Sequence, residues 1–297
     1  MRPKAKRLNQ EAIGLEEEGR IDEAIAGYEA AIEVSPEWAV PWFNLGLLYK
    51  RQRCWEACLR FNRKATELAA DDKPAWWNLG IAATALGDWA TARAAWKGFG
   101  LEIAEGEGPI ELDWGLVPIR LRPADVGEVV WSQRIDPARA ILDSVPLPES
   151  GRRWRDLVLH DGAPNGYRML RDREVPVFDE IELLAASPFS TFVAQISCAD
   201  PRAVGILLER FDQIEDVRAE DWTANVRFLC QACSEGRPHE HHDDEGAGAQ
   251  EWRPDRRLGI AAIEAGRAQA VLDEWSRSGN GHLVSCEQAL AAPFEVS

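Results

Sequence analysis

Apolar and small residues return at a fixed interval through the first third of the chain. Trp42-Phe43-Asn44-Leu45-Gly46 recurs 34 residues later as Trp76-Trp77-Asn78-Leu79-Gly80, and a degenerate copy, Leu8-Asn9-Gln10-Glu11-Ala12, lies 34 residues earlier. Two columns of small residues run through the copies: Ala12, Gly46 and Gly80, then Ala24, Cys58 and Ala92. Small side chains there let paired helices approach closely, whereas larger ones would push the backbones apart. Bulky columns alternate with them: Leu8, Trp42 and Trp76; Leu15, Tyr49 and Ala83; Ile21, Trp55 and Trp89. The spacing predicts three helix pairs, over 5–38, 39–72 and 73–104. Gly19 and Gly87 stand where a left-handed residue ends the first helix of a pair, and Arg53 takes that place in the second. Pro36 closes the first pair; Ala70 and Ala104 occupy the corresponding positions.

This pattern resembles the tetratricopeptide repeat (TPR), a family of paired helices with this period, this aromatic–Leu–Gly opening and these small-residue positions. The resemblance covers about 5–104. It implies a superhelix whose first helices line a concave surface for an extended peptide or a helix. By register that surface offers Asn9, Phe43 and Trp77; Gln10, Asn44 and Asn78; Ile13, Leu47 and Ile81; and the basic pair Lys50 and Arg51. Amide side chains there can bond to a partner's backbone as donors and acceptors, and Lys50 and Arg51 would attract an acidic segment. Phe43 and Trp77 can equally be read as packing between repeats. The family's carboxylate-clamp version is not in register: Asn44 fits it, but Pro74 and Asn78 stand where it has Lys and Arg. Such arrays end with a solvating helix. None is evident after Ala104, so the C-terminal part is expected to cover the open end.

Beyond Glu105-Gly106-Glu107-Gly108-Pro109, a linker by composition, the period stops. Residues 110–188 read as a small, mostly antiparallel β-rich unit. Its predicted strands are Leu116–Leu121, Glu128–Trp131, Leu157–His160 and Val175–Phe178, the first and last confined to sheet edges by Pro118 and Pro176. His160-Asp161-Gly162 reads as a strand end before a turn. Residues 189–297 read as strand Thr191–Ser197, helix Pro201–Phe211, a strand about Asp221-Trp222, a short helix at Ala224–Cys233, strand Leu258–Ile263, helix Arg267–Ser276 and a strand near His282–Cys286. That order is β-α-β, an insertion, then β-α-β, which suggests a ferredoxin-like split unit. The expected fold is thus a multidomain α+β chain.

The formal charge of −16 argues against nucleic-acid and anionic-membrane partners, because phosphate surfaces repel an acidic chain. No run of about 18 apolar residues predicts a membrane span. The basic start Met1-Arg2-Pro3-Lys4-Ala5-Lys6-Arg7 lacks the apolar segment of a secretory signal. A cytoplasmic location and reduced cysteines are therefore expected.

The insertion holds the one constellation with chemistry. Cys230-Gln231-Ala232-Cys233 is followed by His239, His241 and His242. A Cys-x-x-Cys pair turns two sulfurs toward a common point, and imidazoles can complete a tetrahedron around Zn²⁺. The expected ligands are Cys230, Cys233, His239 and His242. Three other readings stay open: a core Cys230 with a solvated His/Asp loop, a dithiol redox pair, and a hydrolytic metal site with Glu235, Glu240 or Asp243 as base. No phosphate loop, nucleophile elbow or kinase set is present. The sequence thus favours an interaction protein with a peptide-binding groove and a structural zinc. The alternative is an enzyme, a metal-dependent hydrolase or thiol redox protein, that uses the array as recruiter.

Overall fold

A computed structural model describes residues 2–122, 127–170, 173–224 and 252–293. The chain forms two compact units, Met1–Glu111 and Leu112–Ser297. The first is all helical, the second mixed, so the fold class is α+β.

Six helices build the first unit: α1 Arg2–Glu17, α2 Ile21–Val34, α3 Ala39–Arg51, α4 Trp55–Leu68, α5 Lys73–Ala85 and α6 Trp89–Phe99. The small columns are where the pairs touch. A methyl group built on Gly46 of α3 would lie 2.4 Å from the Asn62 amide of α4, and one on Gly80 of α5 would lie 2.5 Å from the Trp96 ring of α6. The 34-residue interval also recurs as a hydrogen bond. The Trp42 indole donates to the Pro36 carbonyl at 3.0 Å, and the Trp76 indole donates to the Ala70 carbonyl at 2.9 Å. The three intra-pair turns share a left-handed residue: Gly19 at φ 77°, Arg53 at φ 57° and Gly87 at φ 68°. Arg53 thus holds a conformation that costs an L-residue about 1–2 kcal/mol. Asp72 and Asp88 cap α5 and α6, accepting from the amides of Ala75 and Thr91.

The segment read as a linker belongs to this unit. After α6 the chain runs without regular structure, yet Ile103 and Ile110 are buried. The Arg93 guanidinium of α6 donates to the carbonyls of Ala104 (3.1 Å), Gly108 (2.7 Å) and Pro109 (3.5 Å). An extended strap thus lies on the last helix.

The second unit opens with a five-stranded closed barrel, ordered β1-β2-β3-β4-β7. Its strands are β1 Leu116–Arg120, β2 Val129–Arg134, β3 Arg139–Leu142, β4 Leu157–His160 and β7 Phe178–Ala185; the hairpin β5 Tyr167–Leu170 and β6 Arg173–Pro176 stands apart as a two-stranded sheet. Neighbours are antiparallel except for the closing β1–β7 pair, which is parallel and short. The expectation that Pro118 places β1 at an edge is corrected. β1 has partners on both sides, and Pro118 is tolerated because the β7 pairing involves only Ile119 and Arg120. The strand expected at Val175–Phe178 is in fact the end of β6 and the start of β7. Val117, Ile119, Leu121, Val130, Ala140, Leu142, Val158 and Phe178 form the barrel core.

A four-stranded antiparallel sheet follows: β8 Ser190–Ser197, α7 Pro201–Asp212, β9 Val217–Asp221, β10 Asp255–Ala262, α8 Ala265–Arg277 and β11 His282–Leu290. Its order is β11-β8-β10-β9, so each strand–helix–strand unit leaves a gap that the other fills. Phe192, Ala194, Ile196, Leu258 and Ile260 meet Leu207, Phe211, Leu272 and Trp275 of the helices. Trp222, expected within a strand, lies instead in the turn after β9. Its ring packs with Val145, Leu147 and Phe189 and joins barrel to sheet. Of the short helix expected at Ala224–Cys233, only Ala224, in a turn, lies within the described residues.

Candidate functional site

The register columns of the first unit converge on a pocket of about 320 Å³ between α1 and α3. Ile13, Glu16 and Glu17 come from α1, Tyr28 from α2, and Asn44, Leu47 and Arg51 from α3. Helical spacing explains the set, since residues three or four apart share a face. Ile13 with Glu16 and Glu17, and Asn44 with Leu47 and Arg51, each form such a stripe. Beside the pocket the Asn44 amide donates to the side-chain oxygen of buried Asn9 at 3.0 Å. The Tyr28 hydroxyl donates to Glu16 at 2.8 Å, and Arg51 forms an ion pair with the same carboxylate. Burial, then the bond to Glu16, raises the Tyr28 pKa, so its phenol remains a donor.

The expected groove residues therefore divide. Asn9, Asn44 and Arg51 come together at the pocket. Phe43 is half-buried on α3 and is not among the residues that line the pocket. Trp77 turns to α6, the other helix of its own pair, with its ring centroid 5.0 Å from that of Trp96 and 4.7 Å from that of Phe99. Asn78 is buried, and its backbone carbonyl faces the Cys58 thiol at 3.9 Å. Lys50 is only 9% exposed. Its charge lowers the Cys58 pKa, yet burial outweighs it and the thiol is pushed up to about 12. Lys50 thus serves the interior of the array. Glu16, Glu17 and Tyr28 are the lining residues absent from the sequence reading. The signal was available, because Glu16 and Glu17 stand 34 residues before Lys50 and Arg51.

The expected zinc ligands, Cys230, Cys233, His239 and His242, lie outside the described residues. Among the described residues no group of three or more His, Cys, Asp or Glu side chains could hold a metal ion. His160 ends β4 as expected but is fully buried; its ring stacks on Phe178 at 5.1 Å, and neither ring nitrogen has a hydrogen-bond partner of ordinary geometry. The second unit also has a cleft of about 470 Å³, lined in part by Trp131, Arg168, Asp212, Arg218 and Glu220. No described helix is long and apolar enough to cross a membrane.

A family described as TPR repeat matches residues 16–52. The chain carries tetratricopeptide repeats, and the first unit is their array. Two solved structures are similar to part of it. The first TPR of Spaghetti (RPAP3), bound to the HSP90 peptide SRMEEVD, is 22% identical over 33% of this chain and 79% of its own, with a TM-score of 0.32. The second TPR of the same protein, bound to the same peptide, is 22% identical over 32% of this chain and 89% of its own, with a TM-score of 0.31. The search of curated proteins gave no match.

Proposed function

We propose that this chain is a protein–protein interaction protein whose helical array binds an extended peptide segment of a partner. The observation that carries the reading is the pocket between α1 and α3, where Ile13 and Leu47 provide apolar contact and the Asn9–Asn44 pair provides amide groups suited to a peptide backbone. The test is capture of partners, or of fluorescent peptide pools, by the full chain and by Leu47→Arg. Leu47 lines the pocket and is half-buried, so the variant should fold and lose the ligand. Undiminished binding by Leu47→Arg would remove the pocket from the proposal.

Two further parts belong to the same reading. Cys230, Cys233, His239 and His242 hold a structural Zn²⁺; the support is their spacing and residue type alone. One tightly held zinc per purified chain, lost together with cooperative folding in Cys230→Ser, is the expected result. Metal loss that leaves the fold intact would sink a structural role. The sheet of the second unit is read as a ferredoxin-like split unit, supported by its two β-α-β units and the order β11-β8-β10-β9. The absence of a nucleic-acid or anionic-membrane partner is inferred from the acidic charge.

A further inference from the structure

The sequence offers Lys50 and Arg51 as attraction for an acidic segment, but the pocket carries the opposite sign. Lys50 is buried and does not line it, and Arg51 is engaged by Glu16. Two carboxylates, Glu16 and Glu17, stand against one guanidinium. From this charge balance we infer that the pocket between α1 and α3 receives a basic side chain, Lys or Arg, of the bound peptide. The inference rests on the peptide-binding reading and names the chemistry of its ligand.

The lining suits such a side chain along its length. Ile13 and Leu47 offer apolar surface to the methylene stem, since long cationic side chains bury their stems and keep the charge near water. The charged end would meet Glu17, which is exposed, and the Glu16 carboxylate, which already accepts from Tyr28 and Arg51 and can accept again. The Asn44 side chain gives its N–H to Asn9, and its amide oxygen is of the type that accepts from a cationic donor. An acidic side chain would find no cation in the pocket beyond the one already neutralised by Glu16. The chain's formal charge of −16 adds a long-range field of the same preference.

The test uses the full chain and fluorescein-labelled extended peptide pools that are random except for one fixed central position: Lys, norleucine or Glu. Fluorescence anisotropy should give the Lys pool an affinity at least about five-fold above the norleucine pool, with the Glu pool weakest and the difference shrinking in high salt. Glu17→Lys, an exposed substitution at the end of α1, should reverse the order while circular dichroism and the melting point stay unchanged. Equal binding of the three pools, or preference for Glu, overturns the inference. If those pools are still released by Leu47→Arg, the peptide-binding reading survives it. Failure of every pool to bind overturns both.

Discussion

The ring of Trp222 occupies the space where Gly259 has no side chain. A methyl group built on Gly259 would sit 2.0 Å from the indole, whose N–H reaches across to the Val145 carbonyl at 3.0 Å. The Val145 amide in turn donates to Glu220 of β9 at 3.2 Å. The ring helps to join barrel and sheet, and the absent side chain on β10 makes room for it. Gly259→Ala should therefore cost about 1–3 kcal/mol through overpacking. The check is a urea titration followed by tryptophan fluorescence. A midpoint equal to wild type would show that the ring is not confined by the strand.

His160 gives the second unit a pH dependence of predictable sign. Burial, then the nearby Arg134 charge, hold its pKa well below the ordinary value. The unfolded chain therefore takes up a proton near pH 6.5 that the folded chain refuses. Stability is full above that pH and falls as pH drops below it, by up to about 1.4 kcal/mol per unit. Asp156, whose pKa burial raises, works in the opposite direction and begins above its ordinary 3.8. Urea midpoints at pH 7.5, 6 and 5 should slope downward in wild type and flatten in His160→Leu. An equal slope in both would assign the effect to other groups.

Arg53 occupies a glycine's position at a glycine's backbone angle. The side chain is exposed, and its φ of 57° matches the turn glycines of the neighbouring pairs. Arg53→Gly relieves about 1–2 kcal/mol of backbone conflict and gives back part of it as unfolded-chain freedom. A net gain of about 0.5–1 kcal/mol is expected in thermal melts. A lower melting point would mean that the arginine makes a contact worth more than its strain.

Arg93 fastens the strap. Its guanidinium spreads over three carbonyls of 104–109, a geometry that a lysine ammonium does not reproduce. Arg93→Lys should cost about 1.5–3 kcal/mol and increase amide exchange across 101–111. Exchange unchanged in that segment would place its attachment in Ile103 and Ile110 instead.

The helix pairs were legible because their determinants are local and repeated: small columns, turn residues and a fixed interval. The barrel was only partly legible. β7 carries Asp179, Glu180 and Glu182 within its first five residues, so it does not read as a buried strand. Yet Glu180 is buried, paired with Arg152 and accepting from the Arg122 amide. Arg120 likewise pairs with Asp179 and donates to the Asn165 carbonyl. Partners so distant in sequence cannot be assigned from pattern. β3 fails for a different reason: it is only four residues long and begins with a charged side chain, Arg139, which buried Asp136 neutralises. At the pocket, register located the right helices. It could not tell that Lys50 turns inward or that Arg51 is engaged, because both depend on Cys58, Glu16 and the packing around them.

The indole bonds at Pro36 and Ala70 carry one last consequence. Each joint between successive pairs uses a backbone carbonyl, which any residue supplies, and an N–H that only the following tryptophan brings. The closing proline can drift to alanine without loss, while the tryptophan cannot. Counting forward another 34 residues from Trp76 reaches Ile110, buried in the strap and lacking any side-chain donor. The grammar of the joint ends there, and the array has a built-in terminus.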